Sequence, residues 1–318
     1  MYYYELFSHS DRFSYRAHIL SSTTCVLIVC TTLMFLSPFL LTYYTGNFWP
    51  QVSFYSEQPH LVNQTKYILI AESDPTSISP FLMSSYATLN NNFQSSVIPG
   101  SVTQSSSDID GDGLIDQYRI SFDLVFSSSS VIIRSINVWL IFQYELREKQ
   151  HITMETMALV NLIPPSSLTP SANKNLTVYG QLIFEQNMAI ENAGNDSIYN
   201  TSIINIDNSL STIPNFNSIL DQYFTRKYYT SFKNQYTWST LRTTTTDTYI
   251  VTVTIVVNSG QQSIQYQPGF WQELKWGWIQ YISVFLPFMI VFNRLKVFVF
   301  DNNLVRTSSP LSIHRHKA

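Results

Sequence analysis

Four aspartates fall within nine residues, at Asp108, Asp110, Asp112 and Asp116, interleaved with Gly111 and Gly113. A calcium ion takes about six to eight hard oxygens, and loops that hold it supply them at alternate positions, with glycine where the chain turns sharply. Asp108, Asp110 and Asp112 occupy the first, third and fifth places of such a loop. Leu114 is placed to offer its carbonyl, and Asp116 a direct or water-mediated contact. The twelfth place is Arg119, not a bidentate glutamate, and a strand-like pattern follows. The loop is therefore not an EF-hand and stands nearer to the aspartate-rich loops of extracellular β proteins. A structural Ca2+ is the expected cofactor, the alternative being an acidic turn with no ion.

No other chemistry is marked. The chain has no H-E-x-x-H, no G-x-S-x-G, no P-loop and no dinucleotide glycine pattern. Its six histidines are scattered, and His60 and His151 stand alone. A non-enzymatic protein with no small-molecule substrate is expected. A formal charge of -3 and a pI near 6.0 argue against a nucleic-acid partner, which needs a basic face. Four N-x-S/T sequons, at Asn63, Asn175, Asn195 and Asn200, are candidate glycosylation sites. Asn, Ser and Thr are so abundant that chance alone supplies several such matches.

The elements that must carry these residues begin with two apolar runs. Charged residues make up only 12% of the chain and aromatic residues 15%, a balance suited to lipid contact and strands. Residues 19–44 carry no formal charge, long enough for a helix that crosses a hydrocarbon core of roughly 30 Å. Tyr43, Tyr44 and Trp49 follow, where an interfacial aromatic belt belongs. The second run, residues 276–292, is uncharged, lies between Lys275 and Arg294 and contains Pro287; with its Trp-rich outer entry the second span covers residues 271–293. Phe270, Trp271, Trp276 and Trp278 are the expected anchors at its interface. The first run is longer than a signal-peptide core and no small-x-small cleavage site follows it, so an uncleaved anchor is expected. A buried helix of a soluble domain is the other reading of each run.

Arg12 and Arg16 precede the first span, and Arg294, Lys296, Arg306, Arg315 and Lys317 follow the second; Lys275 alone guards its other side. The positive-inside rule then puts residues 1–18 and 294–318 in the cytosol and residues 45–270 outside it. Both cysteines, Cys25 and Cys30, lie in the first span, so the outer domain has no disulfide of its own.

That domain alternates with period two. Ile120, Phe122, Leu124 and Phe126 form one apolar face, residues 127–130 read as a turn, and residues 131–144 as the returning strand of a hairpin. Residues 176–184 and the β-branched run 249–257 are further strands, with weaker candidates at 64–71 and 153–162. Phe216, Ile219, Leu220, Tyr223 and Phe224 recur at helical spacing. Residues 90–107 and 164–173 read as loops. The expected fold is a membrane protein with two transmembrane α-helices flanking a mainly-β, antiparallel β-sandwich-like extracellular domain with one short amphipathic helix.

The two ends carry patterns too specific for composition to explain. Tyr4-Glu5-Leu6-Phe7-Ser8-His9 and Ser14-Tyr15-Arg16-Ala17 precede the first span, and Glu57-Gln58-Pro59 follows it. Tyr266-Gln267-Pro268-Gly269-Phe270-Trp271 leads into the second, with Lys275, Trp278, Gln280-Tyr281 and Ser283 after it; the exit reads Phe292, Arg294, Lys296, Phe298-Val299-Phe300 and Asn302. This set, in this order around two spans, closely resembles the transmembrane protein 231 family, in which the aspartate loop also has an acidic counterpart.

The resemblance implies a structural role in the ciliary membrane at the transition zone, in the complex linked with Meckel and Joubert syndromes. It implies work beside tectonic-like membrane proteins and peripheral cytosolic members of that complex, in ciliogenesis and in the diffusion barrier that sets ciliary membrane composition. Arg294, Lys296, Phe298 and Phe300 would then meet anionic membrane lipid or a peripheral partner. The alternation over residues 295–300 suits strand addition to that partner, and a plain membrane-edge anchor is the other reading. The alternative function is a cell-surface recognition or adhesion protein with a calcium-stabilised β domain.

Overall fold

The computed structural model describes residues 21–45, 50–74, 80–126, 131–164, 174–191, 194–205, 215–241, 249–302 and 304–305. Arg12, Arg16, Trp49, the motifs at 4–9 and 14–17, the expected turn at 127–130, most of the expected loop at 164–173, and Arg306, Arg315 and Lys317 lie outside them. In chain order the elements are α1 (Ser22–Tyr44), β1 (Ser53–Glu57), β2 (His60–Asp74), β3 (Phe81–Ser84), α2 (Ala87–Asn92), β4 (Gly100–Ser107), β5 (Gln117–Phe126), β6 (Ile132–Leu146), β7 (His151–Leu162), β8 (Lys174–Gln186), β9 (Asn195–Asp196), α3 (Phe216–Phe224), β10 (Tyr228–Leu241), β11 (Tyr249–Asn258), β12 (Gln262–Tyr266) and α4 (Phe270–Asp301). They fall into two units, Met1–Gln51 with Pro268–Ala318, and Val52–Gln267.

The first unit holds α1 and α4, both long and apolar enough to cross a membrane. At 1.5 Å per residue, α1 is about 34 Å long and α4 about 48 Å. Ser21 caps α1, its side chain accepting from the Thr24 amide, so the helix starts three residues later than expected. The hydroxyls in α1 do not disqualify it from lipid. Thr31, Thr32, Ser37 and Thr42 donate to the carbonyls four residues back, Leu27, Ile28, Leu33 and Pro38, at 2.5–2.9 Å, which satisfies them inside the helix.

Helix α4 corrects two expectations. It starts at Phe270 and runs to Asp301, past the expected end at residue 293. Residues 295–300 are helical, not an alternating strand. No Gly or Pro lies between Pro287 and Asn302 to stop the helix sooner, and it ends where Asn302 turns its side-chain and backbone N–H groups onto Phe298 O.

The second unit is a β-sandwich. One sheet has the order β10-β8-β11-β5-β4 and the other β3-β2-β6-β7-β9; β1 and β12 form a separate antiparallel ribbon. Alternate residues of β5, Tyr118, Ile120, Phe122, Leu124 and Phe126, are buried against Val138, Leu140, Phe142 and Tyr144 of β6 in one core. Among the described strands, pairing within the two sheets is antiparallel except between β11 and β8 and between β7 and β9. The β-branched run is β11, buried between β8 and β5.

The hairpin expected from residues 120–144 does not form. β5 pairs with β4 and β11, whereas β6 pairs with β2 and β7. The two strands face each other across the core, which produces the same alternation as a hairpin does. The loop expected at 90–107 contains β4, an edge strand of mostly exposed Ser, Thr and Gln that carries little hydrophobic signal. The short helix forms as expected as α3. With α2 it covers the second face of the β2–β6–β7 sheet, where Trp139, Ile141, Met157 and Tyr223 are buried together.

Candidate functional site: the acidic loop and the helix pair

Residues 108–116 close the β4–β5 hairpin, whose last pair is Ser107 with Gln117. Gly111 and Gly113 hold φ values of 76° and 88°, a region open to glycine at no steric cost. Asp108 accepts from the amides of Gly111 (2.7 Å) and Gly113 (3.0 Å), and Asp116 from the amide of Ile109 (2.6 Å). Ligand oxygens of Asp108, Asp110 and Asp116 lie within 4.8 Å of one another. Asp112 instead turns an oxygen to the Leu114 amide at 2.7 Å. The fold thus gathers three of the four aspartates expected as calcium ligands.

The electrostatics of the three differ. Backbone hydrogen bonding from Ile109 and the Gln58 amide hold the Asp116 carboxyl below its ordinary value. At Asp110 the Asp112 amide pulls downward, but desolvation and the charges of Asp112, Asp116 and Asp108 together leave the carboxyl above it. Crowded carboxylates resist ionising side by side, and a cation removes that resistance.

Glu57-Gln58-Pro59 acquires a physical role. Gln58 Nε2 donates to Asp116 Oδ1 at 2.9 Å. Glu57, 3% exposed, accepts from the amides of Arg147 (2.6 Å) and Glu148 (3.0 Å) in the β6–β7 turn. Tyr266, from the motif before the second span, pairs with Ser53 in the β1–β12 ribbon and is 1% exposed.

The four sequons are unlike one another. Asn63 donates to Gln104 Oε1 at 3.1 Å and accepts from the Thr65 amide, beside a register shift in β2. Asn175 lies in β8 between β10 and β11, with its Oδ1 buried. Asn195 and Asn200 are exposed, at the start of β9 and just after it.

In the helical unit, α1 and α4 pack on each other through aromatic rings. Phe285 stacks on Phe35 at 5.3 Å, and Tyr281 on Phe285 at 5.7 Å, both pairs within 18° of parallel. Phe270, Trp271, Trp276 and Trp278 are all exposed. Arg294 and Phe298 are four residues apart on one helical face, and Lys296 and Phe300 on another. Two residues along a helix is a rotation of about 200°, so the four do not form one patch.

The family model described as transmembrane protein 231 matches residues 1–309. The transmembrane protein 231 of Xenopus tropicalis is 28% identical over 306 residues, covering 96% of this chain and 95% of the relative. That of Gallus gallus is 29% identical over 306 residues (96% and 93%) and that of Homo sapiens 28% over 305 residues (96% and 94%).

Proposed function

The chain belongs to the transmembrane protein 231 family, and from that premise we propose that it is a non-enzymatic structural component of the ciliary transition-zone membrane. The observation that carries this reading is that the family match runs over residues 1–309, through both spans and the whole β domain. Two apolar helices supply anchorage, and a sandwich with its own core supplies a rigid body on one side of the membrane. In this role both termini lie in the cytosol. The partners are tectonic-like membrane proteins, peripheral cytosolic members of the complex, and membrane lipid. The protein contributes to ciliogenesis and to the barrier that controls ciliary membrane composition.

The acidic loop is proposed to take Ca2+ through Asp108, Asp110 and Asp116, with Asp112 and Leu114 in supporting positions. Its role is to hold the β4–β5 hairpin against Gln58, not to do chemistry.

One observation favours the second reading, a cell-surface recognition protein. Tyr236 and Trp238 on the edge strand β10 are 54% and 52% exposed, stacked at 6.1 Å, with Tyr179 directly opposite Tyr236 on β8. Exposed aromatic residues of this kind are frequent binding elements.

High-resolution imaging of the endogenously tagged protein in ciliated cells separates the two. A ring between basal body and axoneme is expected. Signal spread evenly over the plasma membrane would withdraw the ciliary reading and favour surface recognition through β10.

A further inference from the structure

Helices that cross a bilayer are solvated by lipid, so a hollow in their joint face is filled from the membrane and not by water. A hollow of about 730 Å3 lies between α1 and α4, lined by Phe35, Leu36 and Phe39 on one side and Gly277, Trp278 and Tyr281 on the other. That volume falls among sites that hold one small ligand, roughly 300–1,000 Å3. On each helix the lining follows the i, i+3, i+4, i+7 stripe that ordinarily closes a helix pair. Here it stays open. Gly277 is buried and has no side chain to reach across.

The walls are flat and held in place. Phe285 stacks on both Phe35 and Tyr281, each within 18° of parallel, and the Tyr281 hydroxyl donates to Phe35 O at 3.4 Å. The Thr32 hydroxyl, also at the hollow, is turned to its own helix at Ile28 O, which leaves the lining almost wholly apolar. Preorganised flat walls favour a rigid planar ring system over a flexible acyl chain, because the chain loses more rotamer freedom on binding.

The sequence adds an independent sign. Lys275, Tyr281 and Val284 have the basic, aromatic and branched-aliphatic order and spacing of a short pattern associated with sterol contact. Its central residue, Tyr281, is the one that lines the hollow. Lys275 is exposed near the start of α4, at the interfacial end of the span, where a sterol hydroxyl would need a polar neighbour.

We propose that the hollow between α1 and α4 binds one sterol molecule, with its rings against Phe35 and Tyr281 and its hydroxyl toward Lys275. The site depends on the two spans and not on the ciliary role, so either can fail without the other.

The test uses the full-length chain reconstituted in phosphatidylcholine vesicles containing a photoreactive, clickable sterol, with adducts mapped by mass spectrometry. Adducts are expected within residues 32–39 and 274–281, competed by unlabelled sterol. Gly277→Leu, which fills the hollow, should lower them severalfold, and Leu36→Trp should do the same from the opposite wall. Tyr281→Phe keeps the ring and should retain labelling. Protease resistance of the β domain reports that each variant is folded. Absence of these adducts in the unmutated chain, or undiminished labelling in both filling variants, overturns the proposal. Equal labelling of the same residues by a photoreactive phosphatidylcholine, without competition by sterol, also overturns it and leaves an ordinary lipid groove.

Discussion

Gln58 donates to Asp116 across 2.9 Å, joining the residue that follows β1 to the acidic loop 58 positions further along the chain. Its neighbour Glu57 turns the other way and accepts two amides of the β6–β7 turn. Two adjacent residues at the end of β1 thus fasten two loops that are distant in sequence. Truncating Gln58 removes a hydrogen bond to a carboxylate that solvent also reaches, so its effect is local. Gln58→Ala should therefore make the 108–116 loop exchange its amide hydrogens faster, while the β6–β7 turn keeps its protection. Hydrogen exchange with mass spectrometry reads both segments in one experiment.

Calcium should raise the thermal midpoint of the protein, with half-saturation at roughly 0.1–1 mM as in weak extracellular sites. Asp110→Asn should abolish the rise. Asp112→Asn should weaken it less, since Asp112 is engaged with the Leu114 amide. A midpoint indifferent to calcium in the unmutated protein would remove the ion from the loop.

Tyr223 should be a stability residue. It is 1% exposed, and its hydroxyl donates to Thr230 O at 2.8 Å while accepting from the amides of Thr230 (3.0 Å) and Met157 (3.2 Å). It therefore ties β7 of one sheet to β10 of the other. Tyr223→Phe strands buried amides and should cost about 1–3 kcal/mol, seen as a lower denaturant midpoint with an unchanged slope.

Glycan occupancy should follow exposure if the β domain faces the secretory lumen. Asn195→Gln and Asn200→Gln should each remove a mobility shift sensitive to peptide N-glycosidase, and Asn175→Gln should change nothing. A glycan on Asn175 would contradict the pairing of β8 on both sides.

Alkali should unfold the sandwich. Burial, then the charge of Glu155, pushes the Tyr86 hydroxyl up to about 12 from an ordinary 10.0. Burial also raises Tyr55, Tyr118, Tyr144 and Tyr228. A folded-state value above the unfolded one means a contribution fully present below pH 10 and lost as pH rises toward 12. Tyrosinate absorbance and loss of β circular dichroism should rise together over that interval.

The sequence by itself determined the features that depend on local pattern. Two uncharged apolar runs specify the spans, because lipid tolerates little else over that length. The period-two burial of β5 and the helical spacing from Phe216 to Phe224 specify their elements, since each period matches one backbone geometry. The aspartate spacing specified a loop that turns at Gly111 and Gly113. Tertiary structure decided what pairs with what. Alternation along β5 and β6 records only that each has one buried face, and a hairpin and a pair of facing strands bury that face alike. The strand β4 was hidden because its ladder to β5 is made by backbone groups, which every residue type carries. Likewise Gln58 meets Asp116, and Phe285 locks Phe35 and Tyr281, only once the chain has folded, because such contacts join residues remote in sequence and leave no local period to read.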